Sequence, residues 1–427
     1  MKKSAVQLLA VALATALAGC SAEQPEGLAY YETIMKAPPL LPEHATAQWL
    51  DCAPSVDAAS ADYTSVADTG TALGWVDRAA HDWDYFSSSA DDGKVLVIDY
   101  AQKGDALAFR YLANDNTHAD LYEPWSSSKI MAYAGALSLV SENFAQADTL
   151  IGDTKLADLI TSIHSYQPSG KADGNSNAIA YYFADVAGRD YLTGLFHQGW
   201  MNSGQDGVMF RGKYGPDAFV PSDAYWRTPS RNAEILVTAR SEDAGLLDYN
   251  CESCGELGNK PMTTLTSAEF LKRLVTQQRV PETRLAGLSD DAVMMLLYGP
   301  GHSDNSANAG GMMAGAGLGP HRAIARALQQ HYSEYEGLSA QETLDQATQG
   351  NWRIFHKLGA GPSGTRGTSE VVALAHVCLP LPDGTHEFTL AAQAAVDDNS
   401  YENVGYAGEK LERLLETTVA TLLAEGH

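Results

Sequence analysis

Runs rich in β-branched and aromatic residues at 94–100 and 106–111 flank the polar cluster Gln102-Lys103-Gly104-Asp105, a hairpin pattern that predicts two neighbouring strands. Residues 130–137 are small and apolar almost all round, as in a buried helix. From 142 to 349 the chain shows helical patches separated by polar loops, with Thr266-Ser267-Ala268-Glu269 read as a capping box. Strand patterns return at 370–377 and 388–392 around the turn Pro382-Asp383-Gly384. A last helix carries Leu411, Leu414, Leu415, Val419, Leu422 and Leu423 on one stripe. Strands at both ends and helices between them predict an α+β fold: one antiparallel sheet built from both chain ends, flanked by helices, with a helical region beside it. A single domain over 71–427 follows, with its sheet part at about 71–120 and 350–427 and its helical part at about 125–345.

The N-terminus reads differently. Lys2 and Lys3 precede an apolar run over residues 5–17, which is too short to span a bilayer and reads as a signal peptide over 1–19. Leu17-Ala18-Gly19-Cys20 resembles the lipobox of bacterial lipoproteins, which implies that Cys20 is lipidated and anchors the chain to a membrane. Ser21 after the cysteine is similar to the outer-membrane sorting pattern, so the body is expected to face the periplasm. Residues 20–70, rich in Ala, Pro, Ser and Thr, read as a tether and N-terminal segment.

The 427-residue chain is 45% hydrophobic and 19% charged, with a formal net charge of −25, a balance that argues against nucleic acid as partner. With Cys20 set aside, Cys52, Cys251, Cys254 and Cys378 allow three pairings, of which Cys251 with Cys254 and Cys52 with Cys378 are expected. Cys251-Glu252-Ser253-Cys254 is also compatible with half a zinc site or a redox pair, but neither a second CxxC nor an HxxxH completes a zinc set. The histidines form no HxH or HExxH cluster, and no metal or cofactor is expected. Gly315-Ala316-Gly317-Leu318-Gly319 follows no strand in a βαβ pattern and reads as a flexible loop near the site rim rather than a nucleotide loop.

The candidate chemistry begins at Trp125-Ser126-Ser127-Ser128-Lys129. Residues three apart share a helix face, so Lys129 can take the Ser126 hydroxyl proton during attack on a carbonyl. A helix N-terminus there adds free amides for an oxyanion. Two further segments accompany it. Trp352-Arg353-Ile354-Phe355-His356-Lys357-Leu358-Gly359-Ala360-Gly361 runs on to Gly364-Thr365-Arg366-Gly367, and Asp173-Gly174-Asn175-Ser176-Asn177 precedes a helical run ending near Gly188.

Together these segments resemble the serine β-lactamases of class A and the penicillin-binding D,D-peptidases. The resemblance implies a β-lactamase/transpeptidase-like fold with Ser126 as nucleophile and Lys129 as base. It further implies that the Ser126 and Ala360 amides form the oxyanion hole, and that Lys357, Gly359 and Arg366 meet the substrate. Counting back from Gly188 puts Asn177 at the family asparagine and Asn175 at its serine; the other register makes Asn175 the amide. The expected substrate is a small β-lactam or a peptidoglycan-like peptide, and the expected activity is β-lactam or related amide hydrolysis through an acyl-enzyme. A D,D-peptidase and a binding lipoprotein that has lost turnover are the alternatives. Two departures stand out: Leu358 replaces the family hydroxyl residue, removing a hydrogen bond to a substrate carboxylate worth on the order of 1.5–3 kcal/mol. No clean copy of the deacylating glutamate occurs, leaving Glu252 and Glu256 as weak candidates.

Overall fold

The computed structural model describes residues 26–44, 52–54, 62–164, 176–215, 217–239, 259–303 and 310–424. Its strands are β1 (Thr64–Ser65), β2 (Ala80–Phe86), β3 (Lys94–Lys103), β4 (Ala106–Asn114), β5 (Leu150–Ile151), β6 (Thr154–Lys155), β7 (Tyr225–Thr228), β8 (Ala233–Leu236), β9 (Arg353–Ser363), β10 (Thr368–Leu381) and β11 (Gly384–Asp397). The main sheet runs β1-β4-β3-β11-β10-β9, with β2 added in parallel to β4. Both ends of the chain therefore meet in one sheet, where β11 lies antiparallel to β3. In the β3–β4 hairpin Lys103 pairs with Ala106, and Gly104 takes the positive φ of 60° that so short a turn needs. Leu381 pairs with Gly384 across Pro382-Asp383 in the second hairpin.

Alternation along each strand divides the core. Val95, Val97, Leu358, Val371 and Leu390 pack beneath the C-terminal helix Tyr401–Ala424, whose Leu411, Leu414, Leu415, Val419, Leu422 and Leu423 are all buried. Leu96, Ile98, Phe355, Val372 and Leu374 face the helical region and its buried helix Lys129–Leu139. That helix has apolar neighbours on every side, as its composition requires.

Four expectations change. Residues 26–35, assigned above to the tether, form helical turns docked on the C-terminal helix: Gly27 and Gly405 lack side chains where the two backbones meet, and Tyr30 Oη donates to the Glu412 carboxylate at 2.5 Å. The middle region is not purely helical, since β6-β5-β7-β8 form a small sheet around the fully buried Trp226. Its strands are too short to show a period in sequence. The helix Thr264–Val275 is capped by Thr263 with Thr266 rather than by Thr266 with Glu269; Glu269 lies inside the helix, buried against Lys272 and Arg273. The stretch 310–317 is not a rim loop, because Met312 and Met313 are fully buried and Gly315 abuts the His356 carbonyl. Cys52 is bonded to Cys378. Cys20, Asn175, Cys251, Glu252, Cys254 and Glu256 lie outside the described residues.

Candidate active site

The motif 125–129 folds as a 3-10 turn, Trp125–Ser128, running into the helix that begins at Lys129. In a 3-10 turn residues three apart eclipse, which brings Ser126 and Lys129 to one side. The turn is tied to itself: Ser127 Oγ donates to the Pro124 carbonyl at 2.6 Å and Ser128 Oγ to that of Trp125 at 2.9 Å. Trp125 takes a φ of 50°, a conformation that costs a non-glycine residue energy and persists only when its surroundings impose it. The first α-helical residue is Lys129, so Ser126, expected at a helix N-terminus, belongs instead to this tight turn.

β9 is the last strand of the sheet, and the turn lies against it. A Cβ on Gly359 would stand 2.4 Å from the Pro124 carbonyl oxygen and 2.8 Å from the amides of Ser126 and Ser127. Only glycine permits that approach. It brings Ala360, the next residue, beside the turn that carries Ser126.

Three lysines surround this point. Lys129 is buried and its Nζ donates to Ser176 Oγ at 2.9 Å. Burial, and after it the charges of Lys357 and Lys260, hold the Lys129 amine well below the ordinary lysine value. Lys357 is buried too, donates to the Leu358 carbonyl at 2.7 Å, and is lowered by burial to about 8. Lys260 pairs with Glu123 at 3.0 Å and lies 4.8 Å from the centre of the Tyr214 ring, whose hydroxyl meets Ser128 Oγ at 2.8 Å. The shift is toward the free base, the state a proton acceptor needs.

The structure places the other sequence candidates as follows. Asn177 is exposed at the start of the helix Ser176–Ala187, and Ser176, its neighbour, holds Lys129. Neither of the two registers considered above singled out Ser176; the serine of a Ser-x-x pattern was the available signal, masked because Ala178 stands where an asparagine was sought. Arg366 does not present a free fork: its Nε and Nη2 donate to the two Glu370 oxygens at 2.7 and 2.9 Å. The Leu358 side chain faces the C-terminal helix on the opposite side of the sheet from Gly359 and packs near Met35 and Leu411, so the leucine is a core residue. Tyr214, Lys260 and Glu123 carried no local signal, since each meets a partner distant in sequence, and Glu370 meets Trp125 as well as its near neighbour Arg366.

No protein-family model matches the chain, and no curated protein matches it. Among solved structures the chain is similar to the TLA-3 extended-spectrum β-lactamase, at 13% identity over 79% of this chain and 95% of that one, with a TM-score of 0.41. A β-lactamase from Chitinophaga pinensis aligns at 14% identity over 77% of this chain and 94% of its own, with a TM-score of 0.38. PBP-A aligns at 11% identity over 77% and 88%, with a TM-score of 0.40.

Proposed function

We propose that the protein is a serine acyl-transfer enzyme acting on β-lactams or a related amide. The observation that carries this reading is the buried Lys129 amine, one turn from Ser126, with its proton affinity depressed by burial and two neighbouring lysines. Lys129 accepts the Ser126 Oγ proton as that oxygen attacks the amide carbonyl. The negative charge that develops on the carbonyl oxygen is received by the amides of Ser126 and Ala360 across the Gly359 contact. As the carbon–nitrogen bond breaks, the proton passes from Lys129 through Ser176 Oγ to the leaving nitrogen, and an ester on Ser126 remains.

Whether water then removes the acyl group depends on a base. Among the described residues the two carboxylates next to the nucleophile turn are both taken by cations, Glu123 by Lys260 and Glu370 by Arg366. That observation supports the second reading, a D,D-peptidase-like enzyme of cell-wall peptide with a long-lived acyl intermediate. The lipobox supports placement on the periplasmic side of a membrane through lipid on Cys20, with outer-membrane delivery favoured by Ser21.

Intact-mass spectrometry of the chain without its lipid anchor, followed over time with a penicillin, tests the proposal. An adduct that is absent in Ser126→Ala is expected; its clearance as drug is hydrolysed makes the protein a β-lactamase, and its persistence favours the peptidase. A folded wild-type protein that forms no adduct refutes the β-lactam reading.

A further inference from the structure

We infer that Glu370 is a positioning residue that locks the nucleophile turn in its reactive shape. The inference rests on the proposal that Ser126 is the nucleophile. Trp125, immediately before Ser126, holds the strained φ of 50°. Its indole Nε1 donates to Glu370 Oε2 at 2.7 Å, and its ring fills the space above Gly361, where a Cβ would come within 2.5 Å of it. The Arg366 guanidinium lies 5.7 Å from the ring centre and grips both Glu370 oxygens, while Thr368 Oγ1 donates to Oε1 at 2.8 Å.

Glu370 is buried, and on β10 it pairs with Gly361 of β9, so it lies directly behind the strand that meets Ser126. A buried carboxylate with charge-assisted donors on both oxygens is fixed in direction. It fixes the indole in turn, and the indole sets the backbone of residue 125. The direction of the Ser126 amide, the oxyanion donor, follows from that peptide. Arg366 neutralises Glu370 and stacks on Trp125; its role is to hold the clamp.

The test compares Glu370→Ala, Glu370→Gln, Trp125→Phe and the double variant Glu370→Ala/Trp125→Phe in the otherwise intact chain. Each is reacted with a penicillin, and separately with a fluorophosphonate that labels reactive serines through the same oxyanion donors. Folding is checked by far-UV circular dichroism. Glu370→Ala is expected to lower the limiting acylation rate by about tenfold or more while the half-saturating concentration changes little, since only transition-state donors are displaced. Gln at 370 keeps an oxygen for the indole and is expected to stay within about threefold of wild type. Trp125→Phe is expected to match Glu370→Ala, and the double variant to lose no more than either single one. A folded Glu370→Ala that reacts at the wild-type rate, or losses that multiply in the double variant, overturns the inference. Fluorophosphonate labelling with no penicillin adduct defeats the proposed substrate alone and leaves the variant comparison to decide. Labelling by neither reagent overturns both.

Discussion

Gly359→Ala is the sharpest probe of how sheet and nucleophile meet. The added Cβ would sit 2.4 Å from the Pro124 carbonyl oxygen and 2.8 Å from the nitrogens of Ser126 and Ser127, against about 3.4 Å for ordinary contact. All three atoms are backbone, so no side chain can swing away. Relief requires β9 and the turn to separate by roughly 1 Å, a strain on the order of 1–3 kcal/mol. A displacement of that size at a reacting centre lowers rate by about a hundredfold. Gly364→Ala, in the exposed β9–β10 connection with only Asn399 Nδ2 at 3.8 Å from its Cβ, is the matched control. Acylation rate by mass spectrometry and melting temperature are read for both. The expectation is a melting point lowered by several degrees and an acylation rate reduced by about two orders of magnitude for the first, with neither for the second. Wild-type acylation by a folded Gly359→Ala would show that the turn does not lean on β9 and would refute the oxyanion arrangement with it.

Other outcomes follow from the same geometry. Leu358→Thr, which restores the hydroxyl the family resemblance leads one to expect, should destabilise the chain by about 1–3 kcal/mol in a denaturant melt without improving penicillin acylation, because the side chain is core. Lys357→Met should stabilise the protein below pH 8. The folded-state value of about 8 lies below the unfolded value, so the folded chain binds fewer protons between the two and gains stability as pH rises. The lysine therefore costs up to about 3 kcal/mol below pH 8, and the advantage of Met should shrink to nothing as pH nears 10.5; a stability difference flat with pH would contradict it. Acylation of the wild type should rise with pH through a value well below that of an ordinary lysine, and Lys129→Arg should abolish the rise. Ser176→Ala should slow acylation by about a hundredfold while leaving the fold intact by circular dichroism, as expected for loss of a proton relay.

The fold was legible where local pattern carries the information. The two hairpins, the all-apolar helix after Lys129 and the leucine stripe of the C-terminal helix each follow from period and turn chemistry, and strands at both chain ends imply a shared sheet. Legibility ended where burial was decided by distant partners. Residues 26–35 read as tether because so short a segment shows no period; contacts distant in sequence, the close crossing of Gly27 over Gly405, the Tyr30–Glu412 bond and the buried Met35, make it part of the fold. Thr266 looked like a cap because Glu269 follows it at the right spacing, yet Glu269 is held inside by Arg273 and Lys272. In the site, Ser126, Lys129 and Lys357 were visible as motif residues, whereas Ser176, Lys260, Glu123 and Glu370 owe their roles to contacts across tens or hundreds of residues.

Those distant contacts explain how an acidic chain keeps three lysines around one serine. Each solves the burial of an ammonium group in its own way: Lys260 takes the buried carboxylate of Glu123, Lys357 turns onto the Leu358 carbonyl with its proton affinity lowered, and Lys129, its affinity also lowered, donates to the Ser176 hydroxyl. The asymmetry has a cause. Among the described residues Lys129 has no carboxylate within hydrogen-bonding reach; its Nζ donates to the hydroxyl of Ser176, and it feels both of its cationic neighbours. Removing either neighbour raises its proton affinity, and giving it a carboxylate would make it an inert ion pair. Under the proposed acyl transfer, the lysine that accepts the serine proton is selected by what surrounds it, and the two others serve that selection while leaving positive potential where the anionic intermediate would form.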